Sequence, residues 1–166
     1  MIMNFRIFVL CCGILFGVMM GVGQAGTLSD AQAISGLHAA KAVFLVNVKN
    51  PDALYHVVKV IELTRKQLEQ QKVAPHFIVV FIGPDVAFLT KDRRGIPYTD
   101  ERAVAGIQHE IERFARKGIQ FQACGVALKG MDIHPSMLIS TVQPVESGFI
   151  SVIAYQEKGY ALVPVY

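Results

Sequence analysis

Cysteine is scarce in this 166-residue chain: there are three, and two of them, Cys11 and Cys12, are neighbours inside an apolar stretch near the N-terminus. The rest of the chain holds a single thiol, Cys124, which cannot close an internal disulfide, so a stapled scaffold is excluded. Five scattered histidines and that one cysteine show no metal-ligand spacing. "HEIER" at His109–Arg113 lacks the second histidine that a zinc-protease helix requires, and His134, placed before Pro135, reads as a loop or cap residue. A G-x-S-x-G elbow and a P-loop are both absent. A formal net charge of +3 gives no reason to expect nucleic acid as a partner. There is no internal repeat, low-complexity segment or inter-domain linker, and neither a metal nor another cofactor is expected.

What is present begins with an export signal. Arg6 gives a short basic start, residues 7–22 are nearly unbroken hydrophobe and glycine, and Gly23 and Ala25 supply the small residues a signal peptidase reads. The alternative, a retained membrane anchor, fits less well, because the run is glycine-rich and short of the roughly 20 residues a spanning helix needs. Cys11 sits too early in the run for a lipoprotein signal. Cleavage after Ala25 predicts a periplasmic or secreted protein with no stable membrane insertion. Residues 1–25 are then the signal peptide, 26–40 a lead segment, and 41–166 one domain with chain enough for a sizeable core.

Lys41–Val48, "KAVFLVNV", is a continuous apolar run of strand length, as suits a strand covered on both faces. Asn50 and Pro51 follow as N-cap and first helical residue, and Leu54, Val57, Val58, Ile61 and Leu68 fall on one helical stripe. His76–Ile82, "HFIVVFI", is a second buried strand, stopped by Gly83 and Pro84. Strand, helix and strand in this order predict a parallel βαβ unit. The long connection Gly83–Tyr98 allows a short helical turn at Val86–Leu89. Thr99 is read as the cap of the next helix, with Val104, Ile107, Ile111 and Phe114 on its apolar stripe and Gly118 closing it. Ile119–Cys124 is the third strand. For Ser147–Val165 the pattern is compatible with a hairpin and with a helix followed by a strand.

The strands of a parallel sheet all point one way, so Cys124 and Gly125 are expected at the edge where Asn47–Pro51 and Gly83–Asp85 also emerge, and ligands bind along that edge. A helical turn starting after Cys124 would favour a thiolate there. Lys129 would add positive charge, and the loop carrying Arg93 and Arg94 leaves the same edge. Against this stands the plain alternative of a cysteine that only fills the core.

Three segments, "VVFIGPDVAFLTKD", "IERFARKGIQFQACGVALKG" and "VESGFISVIAYQEKGYALVPV", resemble in order and spacing the DsrE/DsrF-like family of small sulfur-metabolism proteins, over roughly Lys41 to Val165. The resemblance implies an α/β fold, a three-layer α/β/α sandwich of flavodoxin-like type around a mostly parallel sheet of about five strands, with Ser147–Lys158 a helix. It implies a homo- or hetero-oligomer, of which a homo-oligomer is expected here, and a cysteine at the place of Cys124 that carries sulfane sulfur as a persulfide between a donor and an acceptor protein; the strand-end reading adds Gly125, Lys129, Arg93 and Arg94 as binding residues around it. The "CGTC" of some relatives is "CGVAL" here, so a resolving thiol is missing and exchange must be intermolecular. The competing expectation is a non-catalytic oligomeric binding or scaffold protein with a structural Cys124.

Overall fold

A computed structural model describes residues 28–166; the signal-peptide reading of residues 1–25 lies outside the described residues. The chain divides into two compact units, and Ile34–Tyr166 contains every helix and strand described. Among the described residues no helix is long and apolar enough to cross a membrane.

Five strands, β1 (Ala39–Val46), β2 (Ala74–Phe81), β3 (Gln120–Cys124), β4 (Val142–Val145) and β5 (Ala161–Val165), form one sheet in the order β4-β3-β2-β1-β5, every pair parallel. The α/β sandwich is therefore as the resemblance implies, with the sheet wholly parallel. Between the strands run α1 (Pro51–Gln70), α2 (Glu101–Ala115), the six-residue α3 (Gly125–Gly130) and α4 (Gly148–Glu157). From β1 to β4 each connection steps the same way across the sheet, whereas β4 to β5 travels back to the opposite edge. Right-handed crossovers then place α1, α2 and α3 on one face and α4 alone on the other.

The sequence chemistry accounts for each element. The Asn50 side chain accepts from the Ala53 amide at 2.9 Å, and Pro51 follows at the first turn. Leu54, Val58 and Ile61 of α1 meet Val104, Ile107, Ile111 and Phe114 of α2 in a large core over Phe44, Val79, Phe81 and Phe121. Gly106 lets the two helices approach, since a Cβ there would stand 3.0 Å from the Tyr55 ring. Glu62 is buried between them and is held by Arg65 at 2.6 Å and Lys117 at 2.8 Å. Burial alone would raise its pKa, but the bonds from Arg65 and Lys117 outweigh that and hold it below the usual value.

One local expectation is corrected. Thr99 does not cap α2: Asp100 holds the cap position, and the Thr99 hydroxyl donates to the Asp100 carboxylate at 3.1 Å. Of the two patterns open for the C-terminal segment the helix holds, as the resemblance implies: α4 runs Gly148–Glu157 with Ser147 at its N-cap, and the following strand pairs with β1 in parallel. The turn expected at Val86–Leu89 is a 3-10 helix, Pro84–Leu89. Both edge strands carry a proline in their pairing register, Pro144 opposite Ala123 and Pro164 opposite Leu45.

Candidate functional site

Cys124 ends β3, and α3 starts at the next residue, so the cysteine is itself the N-cap of that helix. Along β3 the side chains alternate. Phe121 and Ala123 join the large core beneath α1 and α2, while Gln122 and Cys124 face α4. The start of α4 presses on the cysteine: a Cβ added at Gly148 would lie 3.2 Å from the Cys124 Cβ and 2.5 Å from Ile82. Cys124 is the one free cysteine among the described residues and is 6% exposed. Neither α3 nor α4 has a side-chain hydrogen bond capping its first turn, so no side chain competes for the first amides of either helix.

Gly125 is required by its neighbours. A side chain there would collide with the carbonyl oxygens of Val145 and Glu146, at 2.7 and 3.0 Å from its Cβ, where β4 hands over to α4. Two residues back along β3, Gln122 is buried; its Nε2 donates to the Tyr155 hydroxyl of α4 at 3.3 Å, while its Oε1 has no partner.

The loops leaving β1 and β2 do converge. Asp85, fully buried, accepts from the Val48 amide at 3.0 Å and the Gly83 amide at 3.1 Å, clamping one loop to the other. Burial pushes its pKa up to about 6, against the lowering pull of these two amides. Gly83 leaves room for the Asn47 side chain, whose Oδ1 would lie 1.9 Å from a Cβ at that position. Nothing in the loop sequence singled out Asp85, although an acid directly after a buried strand and Gly-Pro was the available signal.

Two adjoining clefts open between the loops. One, of about 300 Å³, is lined by Gly125, Lys129 and His134; the other, of about 520 Å³, by Thr90, Asp92, Arg94, Met131, His134 and Met137. They share Asp132, Ile133 and His134 as a wall. Gly125 and Lys129 are thus brought together and Arg94 stands in the adjoining cleft, held to Asp92 at 2.6 Å. Neither Arg93 nor Cys124 lines either cleft. The apolar "VAFL" of the long loop is covered within the chain, with Val86, Phe88 and Leu89 buried, and Gln108 of α2 secures its end by donating to the Phe88 and Thr90 carbonyls at 2.9 and 2.8 Å.

Comparison with known proteins adds a family. The model of the DsrE/DsrF-like family matches residues 19–165. Among solved structures, the chain is similar to the protein of unknown function MTH1491 from Methanobacterium thermoautotrophicum, with TM-score 0.59 and 18% identity over 75% of this chain and 98% of that one. It is also similar to the conserved protein of unknown function BT1422 from Bacteroides thetaiotaomicron, with TM-score 0.54 and 16% identity over 77% of this chain and 95% of that one. At these identities the likeness is one of fold. A comparison with curated proteins gives no match.

Proposed function

The chain belongs to the DsrE/DsrF-like family, and we propose on that premise that it is an exported protein carrying sulfane sulfur on Cys124 as a persulfide. Family membership supports a sulfur-relay role in general terms. One observation supports this residue as the carrier: two helices start beside the Cys124 side chain with no side-chain cap, and their first amides would stabilise an anionic sulfur. The Cys124 thiolate attacks the outer sulfur of a donor R–S–SH; the donor's S–S bond breaks, R–S⁻ leaves, and Cys124–S–SH forms. An acceptor thiolate then takes the outer sulfur and Cys124 leaves as thiolate, so one sulfur atom moves with no net oxidation. Gly125 and Lys129 in their cleft, with Arg93 and Arg94 on the neighbouring loop, draw an anionic donor to the end of β3.

The protein works as a homo-oligomer. Phe149, Ile150 and Ile153 of α4 are each about three-fifths exposed, and the stretch from Gly148 to Gln156 holds Tyr155 but no Asp, Glu, Lys, Arg or His, so this surface can meet a second copy of itself without charge repulsion. The near-complete burial of Cys124 favours a second reading, a scaffold protein in which the thiol only fills the core. Polysulfide treatment separates the two. The persulfide reading expects a gain of about 32 Da, reversed by reductant and absent in Cys124→Ser. A thiol that resists alkylation until denaturant is added, in a protein that Cys124→Ser destabilises by about 1–3 kcal/mol, would establish the scaffold instead. Export is tested by N-terminal sequencing of a periplasmic extract, with Gly26 expected as the first residue.

A further inference from the structure

Four of the six methionines lie within the first 20 residues; the other two, Met131 and Met137, both line the 520 Å³ cleft, and His134, midway between them in sequence, lines it too. We infer that this cleft is a binding site for a soft monovalent metal ion, Cu(I), ligated by the two thioethers and the Nε2 of His134.

The backbone carrying these three residues is fixed at each of them. Met131 terminates α3, its amide bonded to the Ala127 and Leu128 carbonyls. Asp132, in the left-handed region at φ 55°, turns the chain, and the Ile133 amide returns to Leu128 at 2.9 Å. His134 caps the 3-10 turn Pro135–Met137. The far end is tied across the cleft, where the Lys91 amide donates to the Met137 carbonyl at 2.7 Å and Thr90 bridges to Leu138. The ring of His134 is oriented as well: its Nδ1 lies 2.8 Å from the Ser136 hydroxyl. In this structure the same Nδ1 accepts from the Ser136 amide at 3.3 Å; with Nε2 on a metal the ring proton sits on Nδ1, which gives up that amide and donates to the Ser136 hydroxyl, the outer contact that commonly sets the tautomer of a ligating histidine.

The donor set selects the ion. Among the described residues no group of three or more His, Cys, Asp or Glu side chains could hold a metal, so the carboxylates at the cleft do not add up to a site for a hard divalent ion. Thioether sulfur with one imidazole favours Cu(I). Met131 is 42% exposed, which leaves a large apolar side chain accessible to an incoming ion.

The test uses the full chain with Cys11, Cys12 and Cys124 all changed to serine, so that no thiolate competes, and methionine labelled with ¹³C in its methyl group. Anaerobic titration with Cu(I) is expected to saturate at one equivalent and to shift the Met131 and Met137 methyl resonances together. Met131→Leu with Met137→Leu, near-isosteric changes that leave the fold intact by circular dichroism, should abolish uptake, and Ser136→Ala should weaken it by about tenfold. Methyl resonances that do not move, uptake unchanged in the double leucine variant, or Zn(II) bound as tightly as Cu(I) would each overturn the site. The thiol-free background keeps this result independent of whether Cys124 carries sulfur.

Discussion

The two faces of the sheet are built to different standards. On one, α1 and α2 are amphipathic, bury a continuous core and lock together through Glu62, Arg65 and Lys117. On the other, a single ten-residue helix packs on β1, β2, β3 and β5 and forms a small core with Val43, Leu45, Ile78 and Val80, to which Val152 is its one buried large apolar contribution. Its remaining large apolar side chains point outward. A helix apolar on every side is normally buried, whereas α4 keeps Phe149, Ile150 and Ile153 exposed, and Cys124 lies on that side of the sheet.

Four measurements would break or sharpen this contrast. The largest effect belongs to the thick face: Phe114→Ala, at 1% exposure, should lower the unfolding free energy in urea by about 3–5 kcal/mol. Next comes Asp85, beside the Val48 and Gly83 loops. Its folded pKa of about 6 lies above the ordinary aspartate value of 3.8, so the folded chain holds this proton more tightly than the unfolded chain. The stability from the neutral form is complete below about pH 4 and is lost as pH rises to about 6, a total of about 3 kcal/mol. Unfolding measured across that window should show the decline, and Asp85→Asn should remove this part of the slope.

At the thin face, Gly148→Ala drives a methyl group into Ile82, Val80 and Cys124 and should cost about 1–3 kcal/mol. Because α4 must shift off the cysteine, Cys124 should also react faster with iodoacetamide. An unchanged alkylation rate would show that α4 does not control access to the thiol. The smallest effect on folding is expected from Ile153→Glu, which should change chain stability by under about 0.5 kcal/mol. Light scattering of the same variant should nevertheless show the homo-oligomer reduced to single chains; an assembly that survives would place the contact elsewhere.

The thick face was legible in the sequence for the same reason that it is stable. Strands buried on both sides read as unbroken apolar runs, and α1 and α2 carry a clear stripe with recognisable ends. The thin face was not. In β4 only Val142 is buried, and the strand includes Pro144, so no run marks it. Apolar residues all around α4 erase the helical period that would have told helix from hairpin. At the site, the cysteine–glycine break announced the end of β3 and the turn after it. The direction of the Cys124 side chain depends on strand alternation against α4, which could be read only once α4 was known to be a helix. Asp85 went unnoticed because a buried carboxylate looks, in sequence, like any loop acid; what distinguishes it is two amides from separate loops meeting it in space.

The prolines at both margins of the sheet bear on how single chains can associate. An unassembled protomer exposes α4 and two unpaired strand edges, and such edges are templates on which further strands of any chain can add. Pro144 and Pro164 lack the amide hydrogen that a growing ladder requires, and each restricts the backbone around it. Growth by strand addition is therefore obstructed at both ends, while helix-to-helix contact stays open. Association through α4 is in this way favoured over growth of a fibre, and replacing Pro164 with valine would remove that protection without touching a residue of the core.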